Sequence, residues 1–392
     1  VRDFYILDFV VLHFTFMKKP LFELALLFLR LGATAFGGPA AHIALMEQEV
    51  VRRRGWLTPE HFLDLVGATN LIPGPNSTEM TMHVGYERAG WRGLFVAGIC
   101  FILPAALITL GFAVLYKKYG MLPQVVPFFI GIQAAVIAII LQAVYNLAPK
   151  AAKNGLLIVI GVIVFVATLL GINEITAVLG GGVLSLLWFQ GKRLFQSSQA
   201  NPLFPLLLFQ AGVFVPLDFS LGRLFFIFFK IGALLFGSGY VLIAYLENEF
   251  ITQRHWLTQT QLLDAVAIGQ FTPGPLFTTA TFIGYQLGGF SGAAVATAGI
   301  FLPAFGFVWL LNPLVPRMRQ SNLLAAFLDG VNVAAVGVMF AACVQLGGVV
   351  VQDWRGVVIG GVSLFVLLRY PKVNTMWVVL GSAVAGWGLR II

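Results

Sequence analysis

An all-α, polytopic membrane protein built from two related halves is the architecture that these 392 residues predict, and three observations carry that expectation. The first is composition: 59% of the residues are hydrophobic and 10% charged, with a mean hydropathy of +0.91, whereas a soluble domain carries roughly 25% charged residues. A soluble fold is excluded. The second is length: the runs 92–116, 124–147, 290–311 and 323–346 each supply the roughly 20 apolar residues that a bilayer crossing needs. The third is an internal repeat. Phe36-Gly37-Gly38, Glu47-Gln48-Glu49, Trp56-Leu57-Thr58, Asp64, Pro73-Gly74-Pro75 and Leu103-Pro104-Ala105 return in order as Phe236-Gly237-Ser238, Glu247-Asn248-Glu249, Trp256-Leu257-Thr258, Asp264, Pro273-Gly274-Pro275 and Leu302-Pro303-Ala304.

The chain divides accordingly. Residues 1–19 form an N-terminal extension, apolar but interrupted by Asp3, Asp8 and His13 and followed by no small-residue cleavage site, so it does not read as a signal peptide. Met17-Lys18-Lys19-Pro20 has the form of an ordinary start, which leaves an upstream start or a surface helix for what precedes it. The first repeat covers 20–190 and the second 223–392, with a linker over 191–222 where Lys192, Arg193, Gln196 and Ser197 interrupt the apolar pattern. Within the linker, Leu203 to Val215 is too short for a span and reads as interfacial or re-entrant.

Each half begins with one helix (21–45 and 223–248), continues as a broken pair around Pro-Gly-Pro and ends in four apolar segments. The limbs 59–71 and 76–90 are each shorter than a crossing and carry Glu60, Asp64, Glu79 and Arg88, which fits a re-entrant hairpin better than two spans. The expected total is about ten transmembrane helices plus two re-entrant Pro-Gly-Pro hairpins. Five spans per half is an odd number, so the second half would be inverted. Inversion gathers Arg52, Arg53, Arg54, Arg88, Arg92, Lys150, Lys153 and Arg223 on one side, and leaves Lys117, Lys118, Arg254 and Arg355 on the other. The richer side is expected to face the cytoplasm. The cations behind the net charge of +8 are scattered between apolar runs, so no nucleic-acid partner is expected. Cys100 and Cys343 are single and unrepeated, and neither a disulfide, a metal site nor a cofactor is expected.

Inverted repeats with broken helices are the common plan of secondary transporters, because unwound backbone exposes N–H and C=O groups at mid-membrane. Pro73-Gly74-Pro75 and Pro273-Gly274-Pro275 supply such breaks. The restarting helices carry Asn76, Ser77 and Thr78, and Thr278 and Thr279. A helix N-terminus with added hydroxyls suits an anion; the bland alternative is a structural kink. Arg30 is matched by Lys230, each well inside an apolar run, where a lone cation costs about 2.5–3.5 kcal/mol on insertion scales. The pair could clamp a dianion, or each could snorkel or pair with a carboxylate such as Glu23. Gly37, Gly38, Gly237 and Ser238 leave room for close backbone approach. Glu47, Glu79 and Glu247 are candidates for coupling or gating, with interfacial anchoring the alternative for the first and last. His42 and His83 lack counterparts and read as packed or solvated.

Phe36-Gly37-Gly38-Pro39, the Trp-Leu-Thr triplets and the two Pro-Gly-Pro motifs resemble the chromate transporter family in its long-chain, two-domain form. The resemblance runs from about Pro20 to the C-terminus. It implies a prokaryotic cytoplasmic-membrane carrier that exports chromate, with sulfate as a related anion; Ser238-Gly239 stands where the first half has Gly38-Pro39. The expected partners are the anion and the bilayer, with a homodimer left open. Two alternatives stay on the page: uptake or exchange of sulfate or another oxyanion, and an intramembrane enzyme acting on lipid-linked substrates. The sequence offers the second no His-Glu-x-x-His and no nucleophile-and-base set.

Overall fold

The computed structural model describes residues 20–36, 38–69, 71–120, 122, 125–196, 218–236, 239–311, 321–370 and 373–389, and the regular elements among them are helices. Helix α1 (20–34) stops at Ala35 and Phe36. Gly38 then takes φ +77°, which is costly for any residue with a Cβ, and Pro39 has no N–H to continue a ladder. The chain restarts as α2 (Gly38–Met46) and runs on through a wide π-helical turn, Glu47–Arg53. The second half follows suit. There α8 (Leu221–Leu234) ends on extended Leu235, and α9 (Val241–Leu246) leads into a π-helical turn, Glu247–Thr252.

The stretches 21–45 and 223–248, expected as single crossing helices, are therefore each broken in two, and their limbs fold back on one another. Arg30 meets Glu49 at 2.6 Å in the first half, and Phe228 packs on Phe250 at 5.2 Å in the second. At the open end of the first hairpin, Arg88 reaches Glu23 at 3.2 Å and lies 4.9 Å above the Trp56 ring. At the open end of the second, the Phe219 and Trp256 rings are 5.3 Å apart. Residues before α8 and after its partner limb thus share one end, so Arg223 lies on the side of Arg254 and not opposite it. This corrects the charge grouping. Hydropathy sees only that both limbs are apolar; the break is made by backbone.

The Pro-Gly-Pro limbs come next. Helix α3 (Pro59–Thr69) precedes the first motif and α4 (Asn76–Tyr119) follows it, doubling back at Ala89–Gly90. Helix α10 (Gln259–Phe271) precedes the second, and a tight turn, Leu276–Thr278, opens α11 (Thr279–Leu311), which bends back at Gly288–Gly289. Both reversals depend on glycine. A Cβ placed on Gly85 would lie 2.3 Å from the Gly93 carbonyl oxygen, and one on Gly284 would lie 2.3 Å from that of Gly292.

The rest of each half is helical: α5 (Val126–Ala151), α6 (Gly155–Leu169) and α7 (Glu174–Gln196), then α12 (Asn322–Val350), α13 (Trp354–Arg369) and α14 (Thr375–Gly388). Helices Asn76–Tyr119, Val126–Ala151, Leu276–Leu310 and Asn322–Val350 are long and apolar enough to cross a membrane, and Gly155–Leu169, Glu174–Gln190 and Thr375–Gly388 are shorter apolar helices. Helix α7 runs to Gln196, so the first residues of the expected linker continue it. The extension 1–19 and the run Leu203 to Val215 lie outside the described residues.

Two features relate the halves. Helices α4 and α11 pack on one another: Phe95 meets Phe305 at 5.3 Å beyond both reversals, and from the limb before Gly288 Gln286 Nε2 donates to the Ala113 carbonyl at 3.2 Å and Phe282 meets Tyr116 at 5.2 Å. The later helices are also exchanged: α12 packs on α6 and α7 of the first half, while α5 packs on α13 and α14 of the second. Small residues permit the approach, as a Cβ on Gly131 would fall 1.8 Å from the Ser382 carbonyl oxygen. Outward faces are apolar, with Ile158, Val162, Val358 and Phe365 all more than half or about half exposed, as lipid contact requires.

Candidate functional site

The breaks of one half are completed by the turns of the other. The Gly74 N–H donates to the Leu235 carbonyl at 2.8 Å, and the Gly274 N–H donates to the Ala35 carbonyl at 2.8 Å. Both glycines need positive φ, +139° and +87°. Ala35 O also accepts from His42 Nε2 at 3.1 Å, so its second lone pair is used and His42 is a packed residue. Unpaired backbone groups away from water are costly. Here each half satisfies the other's, and four chain breaks are brought to one crossing.

The expected site residues divide on their placement. Pro73, Gly74, Pro75, Asn76, Ser77 and Thr78, with Pro273, Gly274, Pro275, Thr278 and Thr279, all belong to this crossing. Gly37, Gly237 and Ser238 lie outside the described residues. The hydroxyls of Thr278 and Thr279 donate to the Pro275 and Leu276 carbonyls at 2.9 and 2.8 Å. Thr109 of α4 joins them, donating to Thr278 and Thr272 at 3.2 and 3.3 Å. Arg30 and Lys230 are not brought together. Arg30 pairs with Glu49, which also meets Arg53 at 2.8 Å and Arg54 at 3.5 Å. Lys230 and Arg254 pair with the repeat counterpart, Glu249. Glu23, weighed as a partner for Arg30, holds Arg88 instead. Glu47 pairs with Arg52 at 3.0 Å and Glu247 accepts from Thr252 at 3.3 Å, both on the π-helical turns. Glu79 is different: it is fully buried beside Gly74, and neither carboxyl oxygen has a hydrogen-bond partner among the described residues.

A cavity of about 620 Å³ reaches this crossing. Asn76, at the start of α4, Pro39 beside Gly38, and Gly239 and Tyr240 beyond the second break line its inner part; Gln142, Asn146 and Lys150 of α5 and Asn332 of α12 line its walls. Sequence reading missed Tyr240, Gln142, Asn146 and Lys150. A signal existed in α5, where polar residues recur every fourth position, but an apolar helix read by hydropathy hides it.

The far end of the same interface is bonded across. Asp264 of α10 accepts from Tyr116 Oη at 2.6 Å and from Gln133 Nε2 at 2.7 Å, and Lys117 sits 5.5 Å above the Tyr285 ring. The repeat counterparts are arranged otherwise. Leu263 is 0% exposed and Asp264 2%, while Leu63 is 66% exposed and Asp64 is exposed. Correspondingly, Leu24, Phe28, Met46, Phe62 and Phe101 form an apolar cluster of their own, whereas Leu224, Phe228, Leu246, Leu262 and Ile300 merge with residues of α5, α6 and α12 into the main core. The first half's hairpins stand off from the bundle; the second half's are packed into it.

Comparison with known proteins follows the repeat. Residues 22–186 and 222–387 each match the family model described as chromate transporter. The chain is 33% identical over 368 residues to a chromate transport protein of Cupriavidus metallidurans, covering 93% of this chain and 92% of that protein. It is 31% identical over 384 residues to a chromate transport protein of Pseudomonas aeruginosa (92% and 90%), and 29% identical over 378 residues to an uncharacterized transporter of Methanocaldococcus jannaschii (92% and 92%). No solved structure matches the chain.

Proposed function

The chain belongs to the chromate transporter family, a multi-pass membrane protein of its two-domain form, and from that premise we propose a secondary carrier that exports chromate, with sulfate as a related cargo, by alternating access. The observation that carries this reading is the one-ended cavity. It reaches three of the four chain breaks, at Pro39, Asn76 and Tyr240, from the end that bears Lys150, while Tyr116 and Gln133 bond Asp264 across the opposite end. A carrier caught open to one side has this form, and two-fold related halves supply the other state by exchanging conformations.

On this reading the hairpins of the two halves enter the bilayer from opposite faces without crossing it, and aim their helix N-termini at a shared anion near Asn76. The end carrying Arg52, Arg53, Arg54, Arg88, Arg92, Lys150 and Lys153 faces the cytoplasm of a prokaryotic cell. Amides and helix dipoles hold the anion, and Arg30 and Lys230 remain with their carboxylates and out of the cavity lining. An inside-negative potential drives export, contributing about 4.6 kcal/mol for a dianion at 100 mV. Glu79, buried at the crossing, is the carboxyl placed to couple a proton to the cycle. The test is flux of labelled chromate and sulfate in proteoliposomes under an imposed potential. Transport of neither anion would sink the proposal.

A further inference from the structure

We infer that Lys150, with Asn146 and Gln142 below it, forms a recruitment site for tetrahedral oxyanions at the mouth of the cavity, a site that loads from that face alone. The inference deepens the carrier reading and rests on it. Gln142, Asn146 and Lys150 are spaced four residues apart, so they make one stripe along α5, about 12 Å long at ~1.5 Å per residue. All three line the cavity, with Asn332 of α12 on the facing wall and Asn76 at the inner end. The stripe therefore leads from the exposed C-terminal turn of α5 to the first turn of α4.

Charge singles out Lys150. Arg30, Arg52, Arg53, Arg54, Arg88, Lys153, Lys230 and Arg254 are each engaged by a carboxylate. Arg92, Lys117, Lys118, Arg355 and Arg369 lie over aromatic rings. Arg223 also has neither kind of partner and donates to the Asp218 carbonyl; Lys150 has neither among the described residues, and it is the one of the two that lines the cavity. A cation in the last turn of a helix favours the helix dipole, which accounts for its position. That does not account for the two amides continuing inward from it. An unneutralised ammonium at the mouth of a low-dielectric cleft concentrates anions there. Gln142 Nε2 gives one N–H to the Leu367 carbonyl at 2.9 Å, so its second N–H and the Asn146 amide are the donors that follow, without a second fixed charge that would trap a dianion. The stripe has no counterpart in the second half, where the repeat offset of 199 residues seen at Gly85 and Gly284 places Ala341, Gln345 and Val349. Loading from the two faces is accordingly unequal.

The full-length protein, reconstituted in one orientation, separates these ideas. Chromate is supplied from the cavity face or from the opposite face, and KM and maximal rate are measured at low and high salt. Lys150→Gln is expected to raise KM from the cavity face about tenfold at low salt, with much less effect at high salt, and to leave KM from the opposite face within about twofold. Lys150→Arg should restore the wild-type KM. A KM unchanged in Lys150→Gln, or raised equally from both faces, overturns the recruitment site while the wild-type flux upholds the carrier. A wild-type protein that moves no chromate overturns both. A general loss of folded protein in Lys150→Gln would appear as lower rates at unchanged KM, and that result also overturns the inference.

Discussion

The bonded end of the interface rests on two hydrogen bonds to one carboxyl, and removing the shorter isolates its contribution. Tyr116→Phe deletes the 2.6 Å bond to Asp264 and leaves the ring in place against Phe129 and Phe282 at 5.2 Å each. A hydrogen bond to a charged group contributes about 1.5–3 kcal/mol, and in the proposed alternating-access cycle the bond exists in only one of the two access states. The equilibrium between states should therefore shift by about ten- to 150-fold toward opening of that end. Ala113, one turn from Tyr116 and 0% exposed, reports the change. In a background lacking Cys100 and Cys343, Ala113→Cys should react with a membrane-impermeant thiol reagent at least about tenfold faster when Tyr116→Phe is present, and only from the face opposite the cavity. Equal labelling rates with and without Tyr116→Phe would refute the idea that this carboxyl bolts the interface.

Three further outcomes follow from the same geometry. Gly85→Ala puts a methyl 2.3 Å from the Gly93 carbonyl oxygen and should cost about 1–3 kcal/mol, read as a lower melting temperature in detergent, with Gly284→Ala doing the same. Glu249→Gln removes the carboxylate shared by Lys230 and Arg254, while Arg254 keeps its 3.0 Å bond to the backbone carbonyl of residue 249; a loss of about 1.5–3 kcal/mol is expected, and thermal unfolding that matches wild type would contradict it. Glu79→Gln keeps the shape of the buried side chain at Gly74 and should leave anion binding intact while flattening the pH dependence of flux, measured in proteoliposomes between pH 5 and about pH 8.

The repeat, the helical class and the Pro-Gly-Pro turns were legible in the residues because glycine and proline leave a mark wherever backbone must depart from a helix. The reversals at Gly90 and Gly289 carry the same kind of mark, and they fall where the limb 76–90 was expected to end and just before the runs 92–116 and 290–311. Breaks inside 21–45 and 223–248 were harder to see. At Leu235 the backbone is extended with an ordinary residue, held so by a hydrogen bond from Gly74, and no local pattern announces a partner about 160 positions away. The cations were misleading for a related reason. Burial cost marks Arg30 and Lys230 as needing an anion, but it does not say whether that anion is cargo or a carboxylate such as Glu49 or Glu249. Lys150, at a helix end where lysine is ordinary, raised no such signal.

The reciprocal bonds at the crossing also set a timetable for synthesis. Gly74 leaves the ribosome about 160 residues ahead of Leu235, a delay of roughly eight to thirty seconds at ordinary elongation rates, during which its N–H has no native acceptor. Any truncated product released before residue 274 would likewise leave the Ala35 carbonyl without its backbone donor.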